Sequence, residues 1–201
     1  MKNTLAALCA VLIVSSAAAA ASSSELIMGG GLDDRSDPNA PKSVTSSEIV
    51  TFSADFLYEG LYVIIDRVAV LQHADTRPIG DYRFTAERGE NGARITARFS
   101  PRDTSLPRED YDFTAPLSAL DELHSSLIAG RLPEVNGFAK YNSALGTRFS
   151  IDVRYASGEM IRASGRGGAS CDPPVDISFL IETFRALVEK YAPAEQRPPR
   201  N

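Results

Sequence analysis

The chain has 201 residues, 43% of them hydrophobic and 23% charged, a composition that excludes a collagenous, low-complexity or multi-span membrane protein. Its formal net charge is −5, one unit more negative once Lys2 is removed with the leader described next, which argues against broad attachment to nucleic acid or anionic lipid. Only 4 of the 21 basic residues are Lys, so local anion sites built from Arg remain open on an acidic molecule.

Residues 1–21 carry Lys2, an apolar run from Leu5 to Val14 and an A-x-A end at Ala19 and Ala21, the organisation of a secretory signal peptide. That run is shorter than the roughly 20 residues needed to span a bilayer, and no later segment is longer. The sequence therefore predicts an exported chain, periplasmic or secreted, with no membrane span. Cys9 lies inside the apolar run rather than after it, which disfavours lipid anchoring. Residues 22–45, rich in Ser, Gly, Asp and Pro, read as a flexible leader; 46–191 as a single domain; and 192–201, with prolines and charges, as a disordered tail. Cys171 alone survives leader removal, so no intramolecular disulfide can form and stability falls to the core.

Val50, Phe52, Ala54 and Phe56 alternate with Thr51, Ser53 and Asp55, the period-two pattern of a half-buried strand. The run from Leu61 to Gln72 is β-branched and reads as one further strand, with Asp66 and Arg67 in its middle marking an edge or a bulge. Tyr82, Phe84 and Ala86, a turn at Gly89–Gly92, then Ala93, Ile95, Ala97 and Phe99 predict a hairpin. Its register sets Phe84 against Ala97, Ala86 against Ile95, Glu87 against Arg94 and Thr85 against Thr96. It also leaves Arg83 facing Arg98, unfavourable unless a carboxylate or bound anion sits nearby. Residues 101–112 are polar and Pro-containing and read as a loop or edge excursion. A helix is predicted over 114–129, with Pro116 in its first turn, Leu117, Leu120, Leu123, Leu127 and Ile128 on one face and Gly130 as its stop.

The Asn136-Gly137 turn signal leads to a short extended piece with Phe138 and Tyr141. In the second hairpin, Phe149, Ile151, Val153 and Tyr155 alternate with Arg148, Ser150, Asp152 and Arg154. A three-residue loop, Ala156 to a left-handed Gly158, brings Val153 opposite Ile161, Ile151 opposite Ala163 and Asp152 opposite Arg162. A two-residue loop would instead put Arg162 against Val153 on the core face. Ile177, Leu180, Ile181, Phe184, Leu187, Val188 and Tyr191 then form an apolar stripe predicting a helix over 176–191, with Asp176 as its N-cap. Hairpins in runs with two one-sided helices give an α+β fold: an antiparallel β-sheet with both helices packed on one face.

NGFAKY at Asn136–Tyr141, followed by VRYASGEMIRASG at Val153–Gly165 and a closing amphipathic helix, resembles an uncharacterised group of small secreted or lipid-anchored bacterial proteins. These share an N-G-aromatic turn and a Y-x-S-G-E-x-I hairpin. The resemblance covers Glu48–Tyr191, is sharpest in the last third, and implies an exported small domain without assigning a catalytic residue. The GRGGASCDPP segment at Gly165–Pro174 departs from the pattern.

No catalytic or metal constellation stands out. Cys171 paired with His73 or His124 is the one candidate thiol centre, yet no local signature surrounds it, and two distant histidines and one thiol lack zinc-site spacing. Gly165, Gly167 and Gly168 are followed by Cys171 and two prolines rather than by Lys-Ser/Thr, which excludes a Walker-type loop. Asp33, Asp34 and Asp37 lack the calcium-loop pattern, and Glu109, Asp110 and Asp112 read as solvated charge. No cofactor is implied. Arginines on the outward strand positions, Arg83, Arg98, Arg148, Arg154 and Arg162, together with Arg94, are the candidate binding residues. The expectation is a non-catalytic exported domain that binds a protein or envelope polymer, not nucleic acid, through its open sheet face. The alternative is a small thiol-dependent or hydrolytic enzyme centred on Cys171.

Overall fold

The computed structural model describes residues 31–59, 62–65, 68–71 and 78–196. The signal-peptide assignment, Asp66, Arg67 and His73 lie outside the described residues. The chain runs β1 (Asp33–Asp34), β2 (Ile49–Tyr58), β3 (Tyr62–Ile65), β4 (Val68–Leu71), β5 (Gly80–Arg88), β6 (Ala93–Pro101) and β7 (Glu109–Ala115). It continues through α1 (Ser118–Ala129), β8 (Ala139–Tyr141), β9 (Thr147–Tyr155), β10 (Met160–Gly167) and α2 (Phe179–Tyr191). The fold is α+β: one 8-stranded sheet in the order β1-β8-β10-β9-β2-β5-β6-β7, antiparallel except where β8 runs parallel to β10.

Both hairpin registers follow from matching apolar faces. Phe84 lies opposite Ala97 and Ala86 opposite Ile95; Val153 lies opposite Ile161 and Ile151 opposite Ala163. The three-residue loop is present, with Tyr155 N donating to Glu159 O at 3.0 Å and Gly158 at φ 87°, where a side chain would be strained. β2 lies between β5 and β9, and its Phe52, Ala54 and Phe56 are buried. Val50 does not join them. A register shift between Ile49 and Thr51 turns Ile49 into the core and leaves Val50 outside, the effect of one extra residue on strand polarity.

The helices cover one side. Phe184 of α2 stacks on Phe84 with centroids 4.3 Å apart and on Phe52 at 5.4 Å, while Leu180, Ile181, Leu187 and Val188 complete the buried stripe. α1 buries Ala119, Leu120, Leu123 and Leu127 in the same core, but Ile128 lies outside its stripe and is exposed. The helices are tied together through Glu122, which accepts from Lys190 Nζ at 2.7 Å and Tyr191 Oη at 2.6 Å.

Four expectations are corrected. First, Glu109–Ala115 is an edge strand, with Phe113 opposite Ile95 and Ala115 opposite Ala93, so the helix begins at Ser118 rather than at Thr114. Alternating Phe113 and Ala115 fill the inner face where β6 offers an open ladder, and tertiary pairing overrides the helix-start signal. Second, 61–72 is not one strand: Ile65 pairs with Val68 and Tyr62 with Leu71 in a separate antiparallel pair. Third, part of the leader is held in place. β1 pairs with β8, Arg35 N donates to Ala139 O and Asp37 N to Gly137 O, each at 2.8 Å. Fourth, α2 starts at Phe179, after Ser178. Asp176 Oδ1 accepts from Ser178 N at 2.8 Å and so shapes the turn ahead of the helix instead of capping it. At the other end, Ala192 is buried, while Ala194–Gln196 form a short, exposed 3₁₀ turn.

Gly130 closes α1 for a different reason from the one read in the sequence. Its φ is −78°, while Arg131, at φ 59°, takes the left-handed position. A side chain on Gly130 would collide with the Phe179 ring, so the glycine permits close packing of α1 on α2. The Arg131 guanidinium is fixed by two 2.7 Å bonds to Glu134.

Candidate functional site

Strand alternation decides which residues meet the helices and which meet solvent. With Phe52, Phe84, Phe99 and Phe149 inward, Asp55, Arg83, Arg98 and Arg148 point to the opposite side. The outer-face arginines, Arg83, Arg94, Arg98, Arg148, Arg154 and Arg162, have side chains between 51% and 65% exposed. All the sequence-predicted binding residues thus lie on one solvent-facing surface.

This surface is a grid of ion pairs rather than a cationic field. Arg83 does face Arg98, and each is compensated from its other side: Arg83 by Asp55 of β2 at 2.6 Å, Arg98 by Asp110 of β7 at 2.9 Å. Arg94 lies opposite Glu87 as expected, yet its two donors bind Asp112 of β7, at 3.0 and 2.7 Å. The paired Asp112 carboxyl is held below the usual carboxylate range by that guanidinium, and Arg94 is raised. Asp152 takes both Arg162, at 2.9 Å, and Arg154, at 3.0 Å. Thr85 and Thr96 share a 2.7 Å hydroxyl bond between the charged rows. Exposed pairs of this kind contribute at most about 1 kcal/mol each, so the grid is not what stabilises the sheet.

Arg148 breaks the pattern. It reaches over β2 to Asp81 of β5, with Asp55 at 4.0 Å, while its cross-strand neighbour on β10 is Arg166. Sequence reading did not single out Arg166. The signal lay in the register already chosen, because a loop that places Asp152 against Arg162 also places Arg148 against Arg166. Among the described residues Arg166 has no ion-pair partner. The two arginines, with Arg102, line an open groove of about 780 Å³ beside the 142–146 loop.

Cys171 and His124 are not brought together. Cys171 is fully buried in the 3₁₀ turn Ala169–Cys171, its carbonyl against Gly165, which pairs with Phe149. His124 lies against Tyr155, with ring centroids 5.8 Å apart, and roughly 20 Å of strand separates Phe149 from Tyr155. His124 Nδ1 is buried and without a hydrogen-bond partner among the described residues, as is Tyr155 Oη. Burial pushes the Tyr155 hydroxyl up to about 12, with the charge of Glu159 adding to it. Among the described residues, no group of three or more His, Cys, Asp or Glu is placed to hold a metal, and no helix is long and apolar enough to cross a membrane.

The family-like motifs have structural work. Asn136 is buried, its Oδ1 accepting from Arg162 N at 2.8 Å and its Nδ2 donating to Pro41 O at 2.9 Å, so it joins the leader to β10. Gly137, at φ 78°, lies against Asp37 and Ala40 where a side chain would collide. Glu159 accepts from Thr45 N at 2.8 Å, Ser157 Oγ at 2.7 Å and Ser46 N at 2.9 Å; these donors, Thr45 first, hold its carboxyl down at about 2. Comparison of the chain with known family models, characterised proteins and solved structures finds no match in any of the three.

Proposed function

We propose that this protein is an exported, non-catalytic binding domain that engages a protein or envelope polymer through the outer face of its sheet. The observation that carries this reading is the uncovered face itself. Among the described residues both helices pack on the opposite side, and the outer arginines keep more than half of their side-chain surface in solvent. Guanidinium forks held by neighbouring carboxylates are preoriented, so a polar partner can exchange for one carboxylate without the full cost of ordering a long side chain. Near-cancellation of charge across the grid favours a partner that presents both signs, or hydroxyls, over a uniform polyanion. The leader at 1–21 and the resemblance to secreted bacterial domains support export. The alternative centred on Cys171 has no comparable support, because the thiol is buried at the far end of β9 from His124.

The test is titration of the isotopically labelled protein with a soluble bacterial envelope extract while the Nε–H signals of Arg83, Arg98, Arg154 and Arg162 are followed by NMR. Shifts at these signals are the expected result. Shifts confined to α1 and α2 would overturn the reading.

A further inference from the structure

We infer that the groove at the Arg148–Arg166 end of the outer face is a binding site for an acidic oligosaccharide, with one sugar carboxylate held between the two guanidinium groups. The inference rests on the proposed binding role of this face and names its ligand class.

Arg162 N, Ser164 N and Arg166 O bond toward Asn136 and the β8 side, so their partners on β9 are non-hydrogen-bonded pairs, the kind in which facing side chains come closest. Arg148 and Arg166 therefore face each other at the shortest spacing the sheet offers. Like charges directly opposite destabilise a sheet. At the other facing arginine pair among the described residues, Arg83 and Arg98, the repulsion is relieved by neighbouring carboxylates. Here Asp81 binds Arg148, and Arg102 is held by Glu59 at 3.2 Å, but Arg166 has no carboxylate among the described residues. One guanidinium is left over, which matches a singly charged group such as a carboxylate.

The surroundings favour a sugar as the carrier of that charge. The groove is about 780 Å³, within the roughly 300–1,000 Å³ typical of small-molecule sites and far larger than a bare ion requires. Its lining combines the polar 142–147 loop with apolar Leu57 and Leu145, and Leu145 is 99% exposed. Tyr141, paired with Arg166 across β8 and β10, adds an aromatic ring. Rings of hydroxyls with apolar faces suit such a surface. The loop is built rather than loose. Asn142 Oδ1 accepts from Ala144 N at 2.9 Å and Gly168 N at 3.1 Å, its Nδ2 donates to Ser170 Oγ at 3.2 Å, and Gly167 leaves the room that this side chain fills.

Calorimetry on the full-length protein tests this with a galacturonate trisaccharide of one galacturonate and two galactose residues, the neutral galactose trisaccharide and a Gly-Glu-Gly peptide. The acidic sugar is expected to bind, the neutral sugar not, and the peptide more weakly than the acidic sugar. Arg148→Gln and Arg166→Gln should each weaken binding by roughly tenfold or more, the scale of a lost charge-assisted hydrogen bond, whereas Arg185→Gln, on α2 at the helix side of the sheet, should leave it within about twofold. Because Arg166→Gln removes a repulsion, its unliganded melting temperature should be equal to or above that of the parent protein. Absence of binding by the galacturonate trisaccharide, unchanged affinity in Arg166→Gln, tighter binding of the peptide, or a lowered melting temperature in Arg166→Gln would each overturn the assignment. The reading of the whole face fails separately, when no outer-face arginine signal responds to the envelope extract.

Discussion

At the level of single residues, polar side chains near the second hairpin fix how the leader meets the domain. Glu159 is the clearest case, since its carboxylate accepts two backbone N–H bonds from Thr45 and Ser46. Its folded-state value of about 2 lies below the ordinary 4.5, so the ionised form binds the segment and protonation releases it. The contribution is complete above about pH 4.5 and is lost as pH falls through about 2. Hydrogen exchange at Thr45 and Ser46 should accordingly speed up, after correction for the intrinsic rate, between those limits, and in Glu159→Gln at every pH. Asn136 works from the opposite side. Asn136→Ala leaves Arg162 N and Pro41 O without their side-chain partners and should cost about 1–3 kcal/mol in urea denaturation. The sequence showed Asn136-Gly137 as a turn signal but not the buried amide, because the contact spans 95 positions, from Asn136 back to Pro41, and no local pattern encodes it. Gly158, by contrast, was legible because its requirement is local: a three-residue loop needs a left-handed residue at that place.

At the level of elements, strands with alternating faces were legible and the ends of helices were not. Both hairpin registers could be argued because each strand carries its own apolar set, and a slip of one residue would expose all of it. Glu109–Ala115 misled because its identity depends on a neighbour. Phe113 and Ala115 continue the β6 face only once β6 is in place, whereas Pro116 and the leucines after it are visible locally. As an edge strand β7 carries Glu109, Asp110 and Asp112 on exposed positions, charges that discourage another strand from adding to it. Two of these also anchor Arg98 and Arg94, so β7 completes the outer grid that β6 begins. Asp112→Asn should therefore leave the urea-unfolding midpoint nearly unchanged, since the pair is exposed, yet shift the Nε–H signal of Arg94 markedly. A large loss of stability on that substitution would mean that the grid holds the sheet and is not a surface laid upon it.

At the level of the whole molecule, topology makes the fold depend on its C-terminal third. The central strand β2 pairs on one side with β5, close in sequence, and on the other with β9, where Phe56 meets Phe149 across nearly half the chain. The part of that face around Phe52 and Phe84 is covered only when α2 arrives, because both rings stack on Phe184. Long-range pairing of this kind must meet loop-closure entropy before packing rewards it, so folding should be slow compared with helical proteins of the same size. It also predicts a sharp asymmetry between truncations. Removal of residues before Glu48 deletes β1 and the Glu159 contacts but leaves the β2-to-α2 core complete, and a cooperative unfolding transition should survive at a lower midpoint. Termination after Val175 removes the whole α2 stripe, whose Phe184 alone is worth about 3–5 kcal/mol on truncation to Ala, against a total stability of about 5–15 kcal/mol for a domain. That shorter chain should show no cooperative transition in calorimetry and should bind hydrophobic dyes. A cooperative transition in its place would mean that the sheet can close without α2, and that the face opposite the arginines is not the core on which the domain depends.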